Sequence, residues 1–62
     1  MNNLQTYRIK AGLTQGELAQ RSGIDQGAIS RVEKGVSDFY GQRWKALAQA
    51  LGCTVDDLLG AS

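Results

Sequence analysis

Gln26, Ser30, Arg31 and Lys34 follow one another at spacings that place them along one side of a helix, with Gly27 and Ala28 among them. A carboxamide, a hydroxyl, a guanidinium and an ammonium recognise polar edges and anions by hydrogen bonding. A glutamine amide sets a donor beside an acceptor and can bond N6 and N7 of adenine together. An arginine fork fits O6 and N7 of guanine, or a phosphate. Ser30 is short and can donate or accept. Ala28 offers a methyl, which can touch that of thymine. Gly27 offers no side chain. It also costs a helix about 1 kcal/mol. Taken singly, each polar residue here is an ordinary solvated side chain; the surrounding frame decides.

Other chemistry is excluded by what is missing. The 62 residues contain no histidine and a single cysteine, Cys53. An internal disulfide is impossible, and zinc would find too few good ligands. No nucleophile is set beside a base, and no glycine-rich phosphate loop occurs. The expectation is a protein that is not an enzyme and uses no metal and no cofactor. No apolar run approaches the roughly 18 residues of a membrane-spanning helix. Met1-Asn2-Asn3 lacks the basic stretch and apolar core of a signal peptide. A cytoplasmic location and no membrane partner are therefore expected.

The length suits one domain, residues 1–62. So short a chain buries only about 60% of its unfolded surface. The ending Gly60-Ala-Ser62 reads equally as a terminus or as the start of a linker. Net charge is +1, but it is unevenly spread. Residues 1–52 carry seven Lys/Arg against four Asp/Glu, a surplus of three, while residues 53–62 carry only Asp56 and Asp57. A basic body with an acidic end allows one face to attract phosphates.

The elements that position these groups are helical. There is no proline, and apolar residues hardly alternate, so strands are not expected. Thr14-Gln-Gly-Glu17 has the form of a capping box, flanked by Leu13 and Leu18 at the spacing of a hydrophobic staple. Asp25 can cap a further helix, with Ile24 and Ile29 as its staple. Thr54-Val-Asp-Asp57 repeats the pattern between Cys53 and Leu58. Gly12, Gly35 and Gly52 mark ends. The spacing predicts an all-α fold of five helices, about 3–11, 15–22, 26–34, 41–51 and 55–59. The fourth start is the least defined, because Gly41 sits in it and Asp38 can cap earlier. Trp44, Leu47, Ala48 and Leu51 form one apolar stripe. Leu4, Tyr7, Leu18, Ala19, Ile29, Val32, Val55, Leu58 and Leu59 complete the expected core.

Only Gly23, Ile24 and Asp25 separate the second helix from the third. A turn this short holds two helices at a steep angle, as in a helix-turn-helix. Ala19 is small where the helices cross, Gly23 can take positive φ, and Ile29 is branched and apolar on the inner face. The run Leu13-Thr-Gln-Gly-Glu-Leu-Ala-Gln-Arg-Ser-Gly-Ile-Asp-Gln-Gly-Ala-Ile-Ser-Arg-Val-Glu-Lys-Gly35 resembles the helix-turn-helix of the phage repressor and Cro family. That family often reads L-T-Q-x-E-L-A-x-x-x-G-[VI]-x-x-x-x-I-S-x-[IVLW]-E-x-G. The likeness continues through Leu47-Ala-Gln-Ala-Leu-Gly52 and Val55-Asp-Asp-Leu-Leu59.

The resemblance implies a compact, lambda-repressor-like bundle of five helices that lays its third helix in the major groove of duplex DNA, usually as a homodimer. It implies a transcriptional regulator, with repression at an operator as the expected activity. The first turn of the third helix, with Gln26, then approaches base edges most closely. By the same likeness Gln15 contacts phosphate and braces Gln26, and Arg8 pairs with Glu33 to fix the recognition helix. Lys34, Ser37 and Arg43 are candidates for the DNA backbone. Phe39-Tyr40-Gly41 stands where the family often has a proline and a hydroxyl cap. Leu59 is a candidate dimer contact near the last helix. The other reading is an antitoxin or adaptor of the same fold whose main partner is a protein. Val36, Phe39 and Tyr40 would then form an apolar patch, unless they pack under the fourth helix.

Overall fold

A computed structural model describes residues 2–60 of the chain; the expected domain bounds 1–62 include residues 1, 61 and 62, outside that range. Its elements are α1 (Leu4–Lys10), α2 (Gln15–Ser22), α3 (Gln26–Glu33), α4 (Arg43–Leu51) and α5 (Val55–Leu59). No strand occurs among the described residues. α2 packs on α3 and α4, α4 on α5, and α1 on both α3 and α5.

The starts of α2, α3 and α5 are set by side chains. Thr14 Oγ1 accepts from the Glu17 amide at 3.1 Å, while Glu17 Oε1 accepts from the Thr14 amide at 2.9 Å. Thr54 and Asp57 repeat this exchange at 3.1 Å in each direction. Asp25 Oδ2 accepts from the Ala28 amide at 3.1 Å. Each bond satisfies an amide that the helix itself leaves unpaired. Asn2 and Asn3 act over longer range. Asn2 Oδ1 accepts from the Leu4 amide at the head of α1, and its Nδ2 donates to the Val32 carbonyl. The Asn3 amide donates to the Leu58 carbonyl at 2.7 Å, tying α1 to α5.

The fourth helix begins later than the expected residue 41. Gly41 has φ +59°, a left-handed conformation that cannot lie inside a right-handed helix, so α4 opens at Arg43 behind Gln42. Asp38 does not cap it. Its Oδ1 accepts instead from the Phe39 amide at 2.7 Å and from Trp44 Nε1 at 3.3 Å. α3 is also one residue shorter than expected: Lys34 is its C-cap.

Leu4, Leu18, Ile29, Val32, Trp44, Leu47, Ala48 and Leu58 are buried as expected, joined by Leu13, Ile24 and Phe39. The two staples around α2 and α3 account for Leu13 and Ile24. Phe39 meets Trp44 edge to face, with ring centroids 5.4 Å apart. Tyr7, Ala19, Leu51 and Val55 pack on the margin of this core. Leu59, expected inside, is 42% exposed.

Candidate nucleic-acid interface

α2 and α3 are joined by Gly23, Ile24 and Asp25. Gly23 adopts φ +75° and donates its amide to the Ala19 carbonyl at 2.9 Å, which closes α2 and reverses the chain. A residue with a Cβ would be strained there. Ser22 steadies the same corner: its hydroxyl donates to the Leu18 carbonyl and accepts from the Ile24 amide. Ile24 then enters the core, and Asp25 starts α3.

Burial of Ile29 and Val32 fixes the orientation of α3. With 3.6 residues per turn, Gly27, Arg31 and Lys34 point outward, and Gln26, Ser30 and Glu33 form a row beside them. Gln26, Arg31 and Lys34 are exposed, and Ser30 and Gly27 are half-buried. The Gln26 carboxamide lies against the first turn of α2, with Oε1 3.4 Å from where a Cβ of Gly16 would stand. Arg31 Nη1 lies 3.4 Å from the corresponding point at Gly27. One surface therefore gathers the candidate readers at the head of α3.

Ala28 does not stand free on that surface. It is half-buried and packs against the core, because its position on the helix turns toward Ile29 and Val32. Ser37 and Arg43 are exposed, but they lie on the connection after α3 and at the start of α4, not on the readers' helix.

The other end of α3 is clamped. Arg8 donates from Nε to Glu33 Oε2 at 2.7 Å and from Nη2 to Glu33 Oε1 at 3.1 Å, while Nη1 donates to the Leu13 carbonyl at 2.9 Å. The pair is largely covered, with 12% and 3% of the two side chains exposed. The hydrogen bond with Glu33 pushes the Arg8 guanidinium pKa up despite desolvation, so its charge is permanent. A two-point fork of this kind fixes direction as well as distance.

Gln15 joins the same carboxylate. Its Nε2 donates to Glu33 Oε1 at 3.0 Å. The expected brace between Gln15 and Gln26 is thus replaced by a bond to Glu33, a charged acceptor that holds an amide donor more strongly than a neutral amide would. The bond also settles the orientation of Gln15, since a carboxylate can only accept. One N–H of Nε2 remains for an outside acceptor. Residue spacing did not reveal Glu33 as the group that aims Gln15. Nor did it reveal Gly16 as the seat of Gln26, although Gln-Gly at 15–16 and again at 26–27 was a visible signal.

Burial, followed by the nearby Asp57 carboxylate, pushes the Cys53 thiol pKa up, which disfavours the reactive thiolate. Among the described residues no group of three or more His, Cys, Asp or Glu is placed to hold a metal ion. No helix among them is long and apolar enough to cross a membrane.

A family model described as helix-turn-helix matches residues 4–58, from the first residue of α1 into α5. Among curated proteins none matches the chain.

Proposed function

We propose that this chain, which belongs to the Cro/C1-type helix-turn-helix family, represses transcription by binding an operator in duplex DNA as a homodimer. The family is one of DNA-binding regulators; repression, the operator and the dimer are our reading. One observation carries it: α3 buries Ile29 and Val32, is clamped at Glu33, and leaves Gln26, Arg31 and Lys34 to solvent. A helix about 10–12 Å across fits a major groove about 12 Å wide. Gln26 would then read an adenine, Arg31 would meet a guanine or a phosphate, and Gln15 and Lys34 would hold the backbone. Ser30 supplies a short polar contact between them. Repression is steric, since bound protein occupies DNA that polymerase needs. The site works in the cytoplasm, where the DNA partner is reached without crossing a membrane, and it is not enzymatic.

Size argues for two copies. One helix reads only a few base pairs, too few for specificity in a genome. Half-sites on one face of DNA lie about 34 Å apart, whereas the described residues extend 28 Å at most. Two half-sites therefore require two molecules. Val36 and Leu59 are 73% and 42% exposed and line one shallow groove with Trp44. That groove, beside the last helix, is the contact we assign to the second copy.

Affinity for single-base variants of a selected operator, measured at fixed salt, tests the assignment. Gln26→Ala should lose about 1–3 kcal/mol and relax preference at one position. Lys34→Ala should weaken all variants alike and lower the salt slope by about one. If Gln26→Ala weakens every variant equally, Gln26 positions the protein and does not read. Tyr40, an aromatic side chain 88% exposed, favours the second reading, an adaptor that binds protein. DNA binding that is absent or insensitive to salt would favour that reading.

A further inference from the structure

Six of the eight glycines have positive φ; Gly16 and Gly27 do not. Both lie inside helices, where glycine is disfavoured relative to alanine and no backbone requirement calls for it. What each omits is a side chain, and the polar tip of a candidate reader occupies the edge of the space. A Cβ at Gly16 would stand 3.4 Å from Gln26 Oε1. A Cβ at Gly27 would stand 3.0 Å from Asp25 Oδ2 and 3.4 Å from Arg31 Nη1. The approach to Asp25 is tighter than ordinary van der Waals contact and that to Arg31 lies at its near limit, so a side chain longer than a methyl would compete with both groups.

Long helical side chains lean toward the N-terminus of their helix. Arg31 follows this rule and carries its guanidinium back one turn, over Gly27. Sequence spacing sets Arg31 about one and a half turns deeper than Gln26. The tip, however, lies level with the first turn, the part of a recognition helix nearest the bases. The Asp25 carboxylate borders the same space, and an opposite charge favours the guanidinium there. Asp25 is held in turn by its cap bond to the Ala28 amide.

We propose that Gly27 determines specificity: its missing side chain seats the Arg31 guanidinium over the first turn of α3, where Arg31 reads a guanine neighbouring the adenine read by Gln26. This deepens the DNA-binding reading above and rests on it. Gly27 acts here as a positioning residue, and Arg31 is the group that touches the base. The half-site should thus contain adenine and guanine as neighbours.

The test is selection of bound duplexes from a random pool by the wild type, Arg31→Ala, Gly27→Ala and the double variant, with folding checked by circular dichroism. The wild type should prefer guanine at one position by about tenfold or more. Arg31→Ala should lose that preference and keep the neighbouring adenine. Gly27→Ala should reduce the guanine preference while Arg31 is present and change nothing further once Arg31 is gone. Full guanine preference in Gly27→Ala, or a change in base preference on Gly27→Ala that persists without Arg31, overturns the proposal. Arg31→Lys covers the case in which Gly27→Ala does not fold. It keeps the charge but lacks the planar fork, so guanine preference should fall while the salt slope stays; an unchanged preference overturns the proposal equally. A wild type that selects no sequence at all would instead defeat the DNA-binding reading itself.

Discussion

The run from Leu13 to Glu33 and the connection from Lys34 to Gln42 are consecutive in the chain and are held by opposite means. In the first, short polar bonds set the path: Thr14 with Glu17, Ser22 with Leu18 and Ile24, Asp25 with Ala28. Each joins residues no more than four apart. In the second, nine residues contain no helix, and Phe39 is the only one of them that is buried. Phe39 inserts against Trp44, while its neighbours Asp38 and Tyr40 remain exposed. Short polar devices make a rigid corner that can present α3 in one orientation. A single apolar anchor makes a connection whose path depends on the core already being in place.

The comparison is most severely tested at Phe39. Phe39→Ala should cost about 3–5 kcal/mol by leaving a cavity beside Trp44. That is a large share of the roughly 5–15 kcal/mol that a domain has. Tyr40→Ala, one residue on, should change stability by no more than about 0.5 kcal/mol. Urea denaturation of both variants separates the cases. Equal losses would mean that the connection is held along its length and not at one point.

Next in size is Arg8→Ala, which leaves Glu33 covered and without its cation. About 3 kcal/mol should be lost, the low end for breaking a buried pair, because the guanidinium lies at the edge of the protein. The polar region would then prove as dependent on one distant contact as the connection is on Phe39. A melting curve unchanged from wild type would show that the caps alone hold α3. Thr14→Ala should cost less, about 1 kcal/mol, since it removes one cap bond from one helix. A cost above that of Arg8→Ala would reverse the ranking of local and distant contacts.

The same contrast explains what the amino-acid sequence makes legible. Caps at Thr14, Asp25 and Thr54 are read directly, because donor and acceptor are three residues apart and nothing distant intervenes. The inward faces of α3 and α4 follow from helical period. The start of α4 does not, since Gly41 is equally a weak helix residue or a left-handed stop until its φ is known. Arg8 and Glu33 are 25 residues apart and were paired only through family likeness. Asn2, bonded to Val32 across 30 residues, has no periodic signature at all. At the candidate site, residue positions were legible, but where side-chain tips lie was not: Gln15 turns to Glu33, and Arg31 reaches back over Gly27.

The smallest expected effect is the pH dependence of the first capping box. Glu17 accepts from the Thr14 amide, and this bond holds its carboxyl pKa below the ordinary carboxylate value, aided by the Thr14 side chain and the charge of Arg21. A carboxyl whose pKa is lower folded than unfolded binds its proton more readily in the unfolded chain. Its stabilisation is therefore fully present above the unfolded value, near 4.3, and is lost as pH falls through the lower folded value. Glu17→Gln can still accept the Thr14 amide bond but does not titrate. The melting temperature of the wild type should exceed that of Glu17→Gln slightly at pH 7, and the gap should close in acid below the folded pKa. Other carboxylates titrate in both proteins and cancel in the difference. A gap of constant size from pH 7 to pH 2 would show that the ionised carboxylate adds nothing, and that the corner before α2 is held by Thr14 alone.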